Sequence, residues 1–243
     1  MCIFLHGLCC SESSWQFPDH DAAAGKTYGS LLHDEMGVTS LFVRYNTGLS
    51  IAENGRRLAR LLDALLGAFP VPVREIVLFG HSMGGLVARS AAVAGGAWLP
   101  LVSKMFYFGT PHEGADLAKI AHTTAAILDA MPSRVSRLIG GIFDMRSEGI
   151  KDLREGLGAT GSQSDAQSIR HYLVAGTLAD DPQHPISRVL GDGLVRVPDT
   201  PEYAGNASRV RTVVFPGLHH MALAHDMDVY RQIKDWMREG ADA

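Results

Sequence analysis

Short apolar runs rich in β-branched and aromatic residues recur along this chain. Between them lie longer segments whose apolar residues return every three or four positions. The short runs predict strands at Cys2–Leu5, Leu41–Tyr45, Ile76–Phe79, Met105–Phe108, Tyr172–Ala175 and Val210–Phe215. Most are continuous rather than alternating, the pattern of strands covered on both faces. In "AENGRRLARLLDALLGAF", Leu58, Leu61, Leu62, Leu65 and Leu66 are spaced to form one stripe of a helix. Near the C-terminus "MDVYRQIKDWM" puts Val229, Ile233, Trp236 and Met237 on one face. Strand–helix alternation of this kind predicts an α/β fold, a mostly parallel central sheet flanked by helices.

One region departs from the alternation. From about 113 to 161 the chain is rich in Ile, Leu and Met, with helix-like pieces and no convincing strand. It reads as a helical cap inserted above the sheet of one domain spanning 1–243, and "GATGSQSDAQS" as a flexible loop leading into the next strand. A length of 243 residues suits a single α/β domain.

Composition narrows the function classes. Lys and Arg number 22 against 26 Asp and Glu, a net charge of −4, which gives no electrostatic case for nucleic acid or an anionic membrane surface. No apolar run approaches the length of a membrane span. The opening "MCIFLHGLCC" lacks the basic region and cleavage site of a signal peptide, so the expected location is the cytoplasm. Cys2, Cys9 and Cys10 form no spaced framework and read as reduced thiols. No surface stripe marks an oligomer interface.

The chemistry gathers at "LFGHSMGGLVARS", where Gly80-His81-Ser82-Met83-Gly84 fits G-x-S-x-G with an apolar strand before it and a helix former after it. A tight strand-to-helix turn exposes the serine, and its glycines remove side chains that would collide there. A serine hydroxyl needs a base, and the base an orienting acid, in the chain order serine, acid, histidine. "PGLHHMALAHD" supplies His219 and His220, of which His220 is favoured because adjacent residues cannot both face the serine. The acid is Asp192 in "LGDGLV", with Asp180 and Asp181 as alternatives and Asp199 a more distant one. His112 precedes any such acid and reads as a hydrogen-bonded loop residue. An oxyanion hole requires two main-chain donors. Met83 N–H follows the nucleophile, and the turn after the first strand, "LHGLCC", offers Leu8 N–H.

These residues resemble the α/β-hydrolase superfamily, in its bacterial lipase and esterase branch, and are similar to PGAP1-type and triacylglycerol lipases. "LHGL", "VRYNTGLSIAENGRRLARLL", "GHSMGGLVARS", "FGTPHEGA", "MRSEGIKDLREG", "GDGLV" and "PGLHHMALAHDMDVYRQIKDWM" carry the likeness across nearly the whole chain. The resemblance implies Ser82 as nucleophile, Asp192 as acid, His220 as base, Leu8 and Met83 as oxyanion donors, and a lid or cap in the insertion. It implies hydrolysis of carboxylic esters without metal or organic cofactor. Acyltransferases and thioesterases share such a site, and a silent binding module is the reading from another class. Family members usually carry further strands ahead of the H-G turn, so the first strand is expected either to lack a neighbour, leaving an uncovered edge, or to be a truncated remnant.

Overall fold

Six parallel strands line up in the order β2-β1-β3-β4-β5-β6 in a computed structural model that describes residues 1–112, 148, 168–177 and 209–239. They are β1 Cys2–Leu5, β2 Ser40–Val43, β3 Ile76–His81, β4 Val102–Phe108, β5 Arg170–Thr177 and β6 Val210–Pro216. All six expected strands are present, most with shifted ends; Tyr45, expected within a strand, lies beyond β2. Among the described residues, four helices pack on the sheet: α1 Tyr28–Met36, α2 Ile51–Ala68, α3 Met83–Ala94 and α4 Met227–Arg238. The expected cap over 113–161 lies, apart from Glu148, outside the described residues, as does nearly all of the "GATGSQSDAQS" loop.

The strand order corrects one expectation. β1 does not lack a neighbour; it pairs with β2 on one side and β3 on the other. The chain steps outward from β1 to β2, then crosses back through α2 to β3, so β2 takes the edge. Between β1 and β3 the direction of winding reverses. At such a switch point the connections leave on opposite faces, and a crevice opens at the carboxyl ends of the two strands.

The two faces of the sheet are packed with different material. Beneath α2 and α3 the cluster is mostly aliphatic: Ile3, Leu5, Leu58, Leu62, Leu78, Leu86, Met105 and Leu173 are all buried. Beneath α1 and α4 a row of rings runs across five strands in register, Phe42, Phe4, Phe79, Phe106 and Tyr172. Their centroids are 4.8, 4.5, 4.7 and 4.7 Å apart, each pair stacked. Trp236 of α4 closes the row 4.9 Å from Tyr172. Cross-strand aromatic pairs of this kind stabilise a sheet beyond their area burial.

The helices begin where their sequences supply a cap. The side chain of Thr27 accepts from Ser30 N–H at the start of α1, that of Ser50 from Glu53 N–H at α2, and that of Asp226 from Asp228 and Val229 at α4. On α2 the buried stripe is Ile51, Asn54, Gly55, Leu58, Ala59 and Leu62. Leu61, expected in that stripe, is instead 49% exposed. It follows Leu58 by three positions, while the buried side of α2, which packs against α3, runs through Gly55, Leu58, Ala59 and Leu62 and leaves it outside.

Candidate active site

Ser82 is the single residue between β3 and α3. Its backbone sits at φ 53° and ψ −125°, a region that L-residues avoid. Such a conformation costs about 1–3 kcal/mol and persists only where the surroundings dictate it. Here they do. Ser82 N–H donates to Phe108 O at 2.8 Å, which ties the bend to β4. A Cβ on Gly80 would overlap the main chain of Gly85, and one on Gly84 would lie 2.5 Å from Leu5 O. Helix α3 can therefore descend directly onto the ends of β3 and β1. Ser82 stands at the N-cap yet its side chain makes no capping bond, so the hydroxyl is not used by the helix. The residue is 4% exposed. Met83, first in α3, carries one of the amides that a helix start leaves without an intrahelical acceptor.

The turn after β1 lies against this bend. A Cβ on Gly7 would come 3.0 Å from Ser82 Cβ. Gly7 O accepts from Cys10 N–H at 3.2 Å, closing a turn with Cys9 in the left-handed region at φ 57°. Leu8 occupies the second position of that turn, where its N–H is not consumed by the closing bond.

His220 arrives from the far edge of the sheet. β6 ends at Pro216, Gly217 turns the chain at φ 74°, and the two histidines follow. His219 is exposed, and its Nδ1 accepts from Ala222 N–H at 3.3 Å. His220 is 4% exposed. Its ring lies 4.8 Å from that of His81, and its carbonyl accepts from His81 Nε2–H at 3.0 Å. The other end of the loop is fastened by Tyr28. That buried hydroxyl accepts from Asp226 N–H at 2.7 Å and lies 2.9 Å from Asp226 O and 3.1 Å from Leu223 O.

Leu8, Ser82 and Met83 follow the carboxyl ends of the neighbouring strands β1 and β3, beside the switch point, and the loop of His220 is tied to His81, the residue before Ser82. Asp192, with Asp180, Asp181 and Asp199, lies outside the described residues. His112 belongs to a different group, on the α3 face of the sheet. Arg89 Nη1 is 3.5 Å from its Nδ1, and the ring of Tyr107 is edge-on at 4.9 Å. The Tyr107 hydroxyl is also 3.0 Å from His171 Nδ1. Burial, followed by the Arg89 charge, holds both histidines below their ordinary range, His171 at about 4.

Burial pushes the thiols of Cys9 and Cys10 up, to about 11 and about 12, so neither is a ready nucleophile. Among the described residues no group of His, Cys, Asp and Glu could hold a metal ion, and no helix is long and apolar enough to cross a membrane.

Sequence reasoning passed over the side chains that hold these loops. His81 lies inside the G-x-S-x-G motif, and its ring bonds the loop of His220. Tyr28 and Tyr45 were placed in no role. The stretch "YNTG" directly after the second apolar run was the available signal for Tyr45, because loops at strand carboxyl ends build α/β sites.

A parallel doubly covered sheet with a serine on a strained strand-to-helix bend at its switch point defines the α/β-hydrolase fold. The profile of the PGAP1-like alpha/beta domain matches residues 2–132, more than half of the chain, and the chain belongs to that family. Among solved structures, the mature lipase BlEst2 of Bacillus licheniformis is 17% identical, over 97% of this chain and 91% of that one, with a TM-score of 0.65. The product of the gene lin2722 of Listeria innocua is 14% identical over 98% and 93%, with a TM-score of 0.59. A lipase-esterase related protein of Clostridium acetobutylicum is 14% identical over 96% and 93%, with a TM-score of 0.53. No curated protein matches the sequence.

Proposed function

We propose that the protein is a serine hydrolase of carboxylic esters that works through an acyl-enzyme on Ser82. Ser82 attacks the ester carbonyl while His220 takes its proton. Asp192, placed by chain order and by family resemblance, holds the imidazole in the useful tautomer. The N–H groups of Leu8 and Met83 receive the negative charge that develops on the carbonyl oxygen. His220 then protonates the leaving alcohol, and water resolves the acyl-enzyme by the same route. The neighbours of like fold are described as a lipase and esterases, which supports esters as the substrate class. Apolar residues of the 113–161 segment favour apolar acyl groups.

One observation carries the reading. Ser82 is kept in a costly conformation, its hydroxyl spared from helix capping, and the loop of the buried His220 is anchored to His81, the residue just before it. A purely structural N-cap serine has no need of that strain.

A fluorophosphonate probe tests it. The wild-type protein is expected to label and Ser82→Ala to stay unlabelled, with hydrolysis of a p-nitrophenyl ester lost in parallel. A wild type that neither labels nor turns over any ester from acetate to long acyl chains ends the proposal. So does a Ser82→Ala variant that still labels.

A further inference from the structure

The N–H of Leu8 has a direction only if the peptide that carries it is held. In a trans peptide the N–H points opposite to the preceding carbonyl, so the orientation of Gly7 O sets that of Leu8 N–H. Cys10 N–H is one donor to Gly7 O, and the second is the His6 side chain, whose Nδ1 lies 2.9 Å away. With Nδ1 donating, the neutral imidazole leaves Nε2 as an acceptor, and Tyr45 N–H approaches it at 3.4 Å. The Tyr45 ring stacks on the imidazole, with centroids 4.4 Å apart and planes 17° from parallel. Its hydroxyl donates to His6 O at 2.6 Å. Tyr45 therefore contacts His6 at three points: its ring, its ring nitrogen and its carbonyl.

The same loop reaches the turn again. Thr47 Oγ1 accepts from Cys9 N–H at 3.2 Å, next to the left-handed residue. The loop is in turn secured by α2, where the buried Asn54 donates through Nδ2 to Asn46 O at 3.0 Å. A chain of directed contacts runs from α2 through the loop after β2 to the Gly7–Leu8 peptide. On its opposite side that peptide meets Ser82, and Gly7 leaves no room for retreat.

We propose that Tyr45 is a positioning residue of the oxyanion hole, acting through the carbonyl and the imidazole of His6 to aim Leu8 N–H, with Thr47 as its second brace. This deepens the ester-hydrolase reading and rests on it. Tyr45 touches no reacting atom, so its effect falls on the transition state and not on substrate capture. Complete loss of one oxyanion donor costs on the order of 10²–10³ in rate, and a donor left in place but loosened costs a part of that.

The test compares Tyr45→Phe, which removes only the hydroxyl, with Tyr45→Leu, Thr47→Val and Thr47→Ser, on p-nitrophenyl butyrate and an alkyl trifluoromethyl ketone. Tyr45→Phe is expected to lower kcat about 10-fold with KM within about twofold. The inhibition constant of the ketone, whose adduct carries the oxyanion, rises by the same factor. Tyr45→Leu is lower still, Thr47→Val falls in the same direction, and Thr47→Ser restores the rate because it keeps the acceptor. The acid limb of the pH–rate profile keeps its position, since the base is untouched. Folded Tyr45→Phe and Thr47→Val proteins with wild-type kcat and ketone affinity overturn the inference. So does a loss confined to KM or to a displaced pH profile. If wild type turns over no ester and Ser82 takes no label, the ester-hydrolase reading fails first and this inference with it.

Discussion

Two pairs of histidines in this molecule lead different lives. His81 and His220 meet at the carboxyl end of the sheet, where an imidazole N–H donates to a main-chain carbonyl. His112 and His171 flank Tyr107 on the α3 face, with the Arg89 guanidinium beside them. A fixed cation next to a buried imidazole opposes a second positive charge, so the latter pair is kept from accepting a proton. A general base must accept one readily. Chain order had set His112 aside; its surroundings give the physical reason. Which strand end a histidine reaches, and what charge stands beside it, decide its role more than its burial does.

The sharpest way to break this contrast is to remove one histidine from each group. His220→Ala is expected to lower kcat/KM by on the order of 10⁴ or more, the scale seen when a triad member is removed. His219→Ala and His112→Gln stay within about threefold of wild type. Comparable losses in His112→Gln and His220→Ala, measured on the same p-nitrophenyl ester, would dissolve the distinction between the two groups.

A second substitution attacks only the catalytic end. In Gly84→Ala the new methyl lies 2.5 Å from Leu5 O and 2.7 Å from His6 O, both main-chain atoms, so no side-chain adjustment relieves the overlap. Either α3 lifts or the turn after β1 is pushed aside, and Leu8 separates from Ser82. Activity is expected to fall about 10²-fold, because displacements near 1 Å at a reacting centre carry that cost. A stability loss of about 1–3 kcal/mol accompanies it. The pH dependence of stability that arises from His171 stays unchanged. A fully active Gly84→Ala variant would show that the close approach of α3 to β1 is not what sets the geometry.

The two groups also differ in how far the sequence reveals them. The bend at Ser82 is local, since its glycines and serine fall within six residues and the steric reason for them is contained there. Most strands were visible because a strand covered on both faces must be largely apolar. What escaped was tertiary. Leu61 fits a helical stripe by spacing, and only the position of α3 shows that the stripe leans the other way. Tyr45 looked like the last residue of an apolar run, and its hold on His6 depends on β2 lying beside β1. The neighbour of β1 was missed for the same reason, because strand order is not written in any single segment.

The smallest expected effect reads the non-catalytic pair directly. His171 titrates near 4 in the folded protein, depressed first by burial and then by Arg89, against about 6.5 in an unfolded chain. Between those values the unfolded chain binds the extra proton. Stability is therefore full above about pH 6.5 and declines as the pH falls toward 4. From pH 7 to pH 5 this one group accounts for about 1–2 kcal/mol of lost stability. His112 adds a loss of the same sign, since its range is lowered by the same two causes. In His171→Gln no proton is taken up at that position, so urea midpoints measured at pH 7 and pH 5 draw closer together than in wild type. The rate of ester hydrolysis at pH 7 is expected to be unaffected, because His171 is the second residue of β5, at the amino end of its strand, whereas Ser82 follows the carboxyl end of β3. Parallel stability curves for variant and wild type would mean that His171 is not held neutral by its neighbours, and the contrast with the His81–His220 pair would then rest on position alone.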